Sequence, residues 1–266
     1  MKKKIILIIQ ARLTSSRFPS KVLKKINNKP LIFFLNERLR KCKNVDKIVF
    51  AIPNNNKNSR LKKYLKRKNI NFFSGSENNV LERYYFASKK FNAKTIIRIT
   101  ADCPLADYNL IDRFIKIFNK SKVDYLSNNL NYSFPHGLDV EVFSYKSLEK
   151  SYLNAKTVYE KEHVTPYIRK NNSFKKVNLF LNKDYHQIRL TVDYKKDLIV
   201  IKNILKEIKN INKFGLQEII ELYEKKKEIF FPNSIFNKKF VKDFAKEKKN
   251  WISKYYSKSF ETLLKI

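Results

Sequence analysis

The run IILII at residues 5–9 constrains the fold of this chain more than any other feature. It is short, unbroken and β-branched, the pattern of a strand buried on both faces in a parallel sheet. Similar apolar runs recur at residues 47–52, 70–73, 95–99 and 123–126. Helix-period segments at 31–41, 59–68, 79–90 and 108–119 separate them, with Leu31, Leu35 and Leu39 on one stripe and Leu110, Ile111, Phe114, Ile115 and Phe118 on another. Alternation of β and α at this spacing predicts a doubly wound α/β sheet, with residues 5–9 as its central strand.

From residue 138 the rhythm changes. The strand-like LDVEVF is followed by helices near 145–152 and 160–169, then by strands near 175–181 and 187–190. This reads as an insertion, about 134–190, packed on the same sheet. Helices at 195–206 and 216–225 complete a domain of residues 1–230. Residues 231–266 are lysine-rich and read as a basic helical tail or linker.

The 266 residues, 43% of them hydrophobic, can fill a large core, which excludes a disordered chain. The formal net charge of +34 would normally suggest nucleic acid or an anionic membrane. However, the abundance of lysine, asparagine, isoleucine, phenylalanine and tyrosine with only 3 Gly and 1 Trp is the profile of A/T-rich coding. Only about eleven basic residues are arginine, the side chain that reads bases bidentately. The charge is therefore read as compositional background, with no specific nucleic-acid partner. Cys42 and Cys103 form neither a disulfide scaffold nor a zinc pattern, the lysines at 2–4 precede too short an apolar run for a signal peptide, and no stretch spans a membrane. These features point to the cytoplasm.

Chemistry is expected at QARLTSSRFPSK, residues 10–21, which directly follows the first strand. Ligands of open α/β sheets bind beyond the carboxyl ends of the strands. Arg12, Arg17 and Lys21 supply cations, and Thr14, Ser15 and Ser16 supply hydroxyl and backbone donors suited to a phosphate. Asp102 and Asp193 each follow a predicted strand, where a carboxylate can reach a phosphate-bound metal; taken alone, an aspartate at a strand end is more often a turn former than a ligand.

Six segments carry a family resemblance in order: QARLTSSRFPSKVL, GSENNVLERYY, IIRITADCPL, FPHGLDVEVFS, EHVTPYI and LTVDYKKDL. Together they resemble the spore-coat polysaccharide biosynthesis cytidylyltransferase-like family, related to the 3-deoxy-manno-octulosonate and acylneuraminate cytidylyltransferases. The resemblance spans about residues 4–225 and implies a Rossmann-like nucleotide-diphospho-sugar transferase fold, with CTP at the end of the first strand. It implies that Arg12, Arg17 and Lys21 hold the triphosphate, that Ala11, Leu13 and Ser15 line the nucleotide, and that Asp102 and Asp193 share one Mg²⁺. Lys21, Arg12 and Asp102 would carry catalysis. Gly75, Ser76, Glu77 and Thr100 would face cytosine and ribose. The acceptor pocket would draw on His136, Asp139, Glu141, Glu162 and His163. Thr14 and Ser20 depart from the family, standing where it usually has glycine. Arg98 is expected to be a strand residue paired with a carboxylate.

The activity so implied is transfer of CMP from CTP to a sugar acid or related acceptor, with release of pyrophosphate, in surface glycan synthesis. Pairing through the insertion would make a homodimer. The final segment SKSFETLLKI resembles the opening helix of class III aminotransferases, which would imply a fused or neighbouring aminotransferase. A glycosyltransferase remains an alternative on fold grounds, though the chain has no obvious DxD pair. A non-catalytic polyanion binder would need lysines clustered on one face, whereas the sequence spreads them.

Overall fold

The computed structural model describes residues 4–236, 242 and 261–264. In chain order the strands are β1 (Lys4–Gln10), β2 (Lys25–Ile26), β3 (Lys29–Pro30), β4 (Lys47–Pro53), β5 (Phe72–Gly75), β6 (Ala93–Thr100), β7 (Tyr125–Ser127), β8 (Glu141–Ser144), β9 (Lys176–Phe180) and β10 (Glu261–Leu263). The helices are α1 (Leu31–Leu39), α2 (Ser59–Arg67), α3 (Val80–Lys90), α4 (Tyr108–Lys120), α5 (Tyr145–Asn154), α6 (Val158–His163), α7 (Pro166–Lys170), α8 (Lys195–Glu207) and α9 (Leu216–Lys225).

Eight strands form one sheet in the order β10, β9, β7, β8, β6, β1, β4, β5, while β2 and β3 make a separate hairpin. All pairings in the large sheet are parallel except those of β8, which runs antiparallel to both β6 and β7. β1 is central, as its continuous apolar run requires. Alternation sends Leu7 and Ile9 to one face with Phe50, Ile97, Leu35 and Phe114, and Ile6 and Ile8 to the other with Val49, Ile96, Tyr84 and Leu148. Both faces are covered, so the hydrophobic runs on β1, β4 and β6 are explained by burial on two sides.

Three sequence expectations need correction. Residues 187–190 do not form a strand; a single parallel bridge joins His136 to Arg189. The helix expected over 160–169 is two helices: Pro166, which has no N–H to donate to an i−4 carbonyl, starts α7, and Val164 leaves the helical region ahead of it. Between them Val164 has φ 71 and ψ −53, and the Thr165 N–H donates to the His163 carbonyl at 2.8 Å. That is a strained γ-turn, and it breaks the chain next to His163.

The third correction concerns the boundary at residue 230. Phe230 is buried in the main core, Asn233 is 2% exposed, and β10 pairs in parallel with β9. Asn233, β10 and Leu264, all within the expected tail, therefore pack on the domain. Within the aminotransferase-like final segment, the backbone of Glu261–Leu263 is strand rather than helix; its other residues, apart from Leu264, lie outside the described ones. No helix among the described residues is long and apolar enough to cross a membrane.

Candidate active site

β1 and β6 end side by side, with Gln10 opposite Thr100. The chain leaves β1 in a loop whose Ser20 N–H returns to the Leu13 carbonyl at 3.0 Å, and a turn of 3-10 helix over Lys21–Leu23 follows. Ser20 sits at φ 54, ψ 26, a left-handed conformation that favours glycine. Thr14, the other departure from the family pattern, is not among the residues with positive φ. The loop closes one side of a cleft of 390 Å³. It lies beyond the carboxyl ends of the central strands, where an open α/β sheet binds its ligands.

Eleven of the residues expected at the site line this cleft: Ala11, Arg12, Ser15, Ser16, Arg17, Lys21, Thr100, Asp102, Glu162, His163 and Asp193. At its centre Lys21 Nζ lies 2.8 Å from Asp102 Oδ2 and 2.8 Å from Asp193 Oδ1. Arg17 reaches the same Asp193 oxygen at 2.9 Å. Burial would lower the Lys21 pKa, but the two carboxylates outweigh it and the pKa is raised. Burial would likewise raise the carboxylates. Lys21 instead holds Asp102 at about 2 and, with Arg17, draws Asp193 below its ordinary value against the added repulsion of Asp102. All three groups are therefore charged at neutral pH.

A second network stands behind Asp193. Arg189 donates to Asp193 Oδ2 at 3.1 Å and to the two Asp197 oxygens at 2.9 and 3.2 Å. Asp197, fully buried, accepts the backbone N–H groups of Asp193 and Tyr194 at 2.8 Å each. Asn233 donates to the Arg189 carbonyl and to Asp197 Oδ1 at 3.1 and 3.0 Å. Tyr194 carries the Arg17 guanidinium 5.3 Å over its ring and stacks on Phe236 at 4.0 Å. None of these supporting residues was anticipated from sequence. Their signal was the spacing by four of Arg189, Asp193 and Asp197.

The remaining expected residues lie elsewhere. Leu13 is buried, and its N–H donates to Asn58 Oδ1 at 2.8 Å rather than facing the cleft. Gly75 and Ser76 line no part of it: the Gly75 carbonyl accepts from Asn54, and Ser76 is held by Asn79 and Arg83. His136, Asp139 and Glu141 are also outside the lining. His136 pairs through its backbone with residues 188 and 190, and burial with the nearby Arg189 charge lowers its pKa to about 4, so its ring is neutral. Asp139 precedes β8 and accepts the Gly137 N–H at 3.1 Å. Glu141 is 2% exposed and pairs with Arg98 at 3.2 Å and Asn129 at 2.8 Å. It is a strand ion pair, which supplies the carboxylate partner expected for Arg98. The cleft also exposes Val80 and Arg83, which sequence reasoning missed. Arg83 interrupts the buried stripe Val80, Leu81, Tyr84 and Ala87 of α3, and a cation in an apolar stripe is the signal that could have found it.

Among the described residues no group of three or more His, Cys, Asp or Glu side chains comes together as a metal cage. Asp102 and Asp193 do converge on a single cationic atom. That donor set suits a hard divalent ion if phosphate oxygens and water complete the shell.

The cytidylyltransferase family model matches residues 6–248. The protein MJ1063 of Methanocaldococcus jannaschii is 38% identical over 234 residues, covering 87% of this chain and 95% of that protein. The spore coat polysaccharide biosynthesis protein SpsF of Bacillus subtilis is 30% identical over 226 residues, covering 82% and 93%. The solved structure of a cytidylyltransferase from Leptospira borgpetersenii is similar at a TM-score of 0.82 and 29% identity, covering 86% of this chain and 97% of that one. The Lys21 and Asp102 cleft at the end of β1 thus sits within a match that runs from the first strand into the C-terminal segment, and the chain belongs to the cytidylyltransferase family.

Proposed function

We propose that the cleft binds CTP with its triphosphate against residues 11–21, and that the enzyme transfers CMP to a hydroxyl oxygen of a sugar acid or related acceptor in surface glycan synthesis. A bond forms between the acceptor oxygen and the α-phosphorus, the bond from that phosphorus to the β-bridging oxygen breaks, and pyrophosphate leaves; the hydroxyl proton passes to solvent. The observation that carries this reading is Lys21, clamped between two carboxylates where β1 and β6 end. Arg12 and Arg17 extend the positive field over the cleft, and Lys21 stays protonated to meet charge developing on the transferred phosphoryl group. Little covalent work falls to the protein. Positioning and charge neutralisation carry the step.

Asp102 and Asp193 would hold a divalent ion, Mg²⁺ on this reading, which when bound supplies further neutralisation of phosphate charge. Lys21 would then move off the carboxylates towards the phosphates. Glu162 and His163, at the rim of the same cleft, would meet the acceptor. The acceptor class is supported by the motif resemblance and by the polysaccharide role in the name of SpsF. A cytoplasmic homodimer fits an exposed apolar surface on α3, α5 and α6, where Phe86 is 39%, Leu153 71%, Val158 78% and Tyr159 41% exposed. Light scattering that returns a monomer would remove the dimer.

The test is pyrophosphate release with CTP, UTP, GTP and ATP in the presence of Mg²⁺ across a panel of sugar acids and phosphorylated acceptors. Release with CTP and one acceptor class is expected. Indifference to all four nucleotides, in release and in thermal stabilisation, overturns the reading.

A further inference from the structure

Two consecutive residues of the nucleotide loop are tied to neighbouring loops by polar contacts that phosphate binding does not use. The Leu13 N–H donates to Asn58 Oδ1 at 2.8 Å. Thr14 Oγ1 donates to Glu77 Oε1 at 2.9 Å. The other Glu77 oxygen accepts the Asn55 side-chain amide. Asn55 Oδ1 accepts in turn from the Asn58 backbone N–H at 3.1 Å and side-chain amide at 2.8 Å. The circuit closes from Leu13 through Asn58, Asn55 and Glu77 back to Thr14. From the other side Arg83, which lines the cleft, donates to the Ser76 and Glu77 carbonyls at 2.6 and 3.1 Å.

Each link is a long-range contact, 22 to 63 residues apart in the chain, apart from the short turn between Asn55 and Asn58. A side-chain network of this kind specifies one geometry, because breaking one member leaves the others unpaired. Glu77 was expected to face the base. Both its carboxylate oxygens are instead engaged by Thr14 and Asn55, so the group acts on the loop.

We infer that Thr14, Glu77, Asn55 and Asn58 are positioning residues that hold the phosphate loop preformed against the segment after β5. The inference rests on the reading of the cleft as the CTP site. A preformed loop lowers the ordering cost of binding, so the circuit acts on CTP affinity. Its Thr14 hydroxyl is the one link made by the loop's own side chain.

Calorimetric titration of CTP with Mg²⁺ tests this without an acceptor. Thr14→Val, which keeps the shape and removes the hydroxyl, should raise the Kd for CTP about tenfold, the scale of one hydrogen bond to a charged group. Thr14→Ser should stay within about twofold, since it restores the donor. Glu77→Ala should weaken binding similarly, and the Thr14→Val, Glu77→Ala double variant should be no worse than the more severe single one. Thermal midpoints without CTP should differ between wild type and Thr14→Val by no more than about 2 °C, separating loop positioning from folding. Unchanged affinity in Thr14→Val, equal loss in Thr14→Val and Thr14→Ser, or additive losses in the double variant would overturn the circuit while leaving the cleft assignment intact. No CTP binding by the wild-type protein would instead overturn the cleft assignment.

Discussion

Asp102 and Asp193 face the same Lys21 nitrogen at the same distance, yet the protein places them by different means. Asp102 follows β6, a central strand paired on both sides, and needs little beyond the sheet register to reach the cleft. Asp193 lies on irregular chain between a single bridge at Arg189 and the start of α8. Its position depends on Arg189, Asp197 and, through them, Asn233 from the segment beyond α9. One wall of the cleft is set by backbone hydrogen bonds and the other by buried charge. The second kind of wall is the more vulnerable to single substitutions, because each member is desolvated and relies on its partners.

Removing the centre of that second wall should have the largest effect. Arg189→Met would leave Asp197 buried without its cation and should cost about 3 to 5 kcal/mol of unfolding free energy. Denaturant titration measures it, and a loss below about 1 kcal/mol would mean that the N–H groups of Asp193 and Tyr194 hold Asp197 alone. Lys21→Met acts on both walls at once. It should lower turnover in pyrophosphate release at least about a hundredfold while the protein stays folded, equivalent to roughly 2.7 to 4 kcal/mol of transition-state stabilisation. Near-normal turnover would remove Lys21 from the chemistry.

Asp139, near the sheet wall but outside the cleft lining, gives a pH test. Burial, offset in part by the Gly137 N–H and reinforced by Glu141, raises its pKa to about 6 from 3.8. The folded state then holds this proton more tightly than the unfolded one, so stability from this group is fully present below pH 3.8 and is lost as pH rises through about 6. Asp139→Asn should therefore match wild type near pH 3.5 and exceed it near pH 7.5 by about 3 kcal/mol. Equal pH dependence of the two proteins would contradict that. Smallest of the four, Ser20→Gly should relieve the left-handed backbone at φ 54 and stabilise by about 0.5 to 1 kcal/mol, read as a rise in the thermal midpoint. A fall would show that unfolded-chain entropy outweighs the strain.

Local pattern was enough for much of this protein. The unbroken run of β1 specifies a two-sided strand because only full burial tolerates it, and the alternating helices follow from their apolar stripes. The cationic loop at residues 10–21 was legible because its chemistry is contiguous in sequence, as was Asp102 at a strand end. Tertiary structure decided the rest. It gave Glu141 to Arg98, turned Glu77 toward Thr14 and brought Asn233 behind Asp193. These outcomes depend on pairings between residues tens of positions apart, set by which side chains meet when the sheet closes. Periodicity reports which face a residue takes; it carries no record of the partner it finds there.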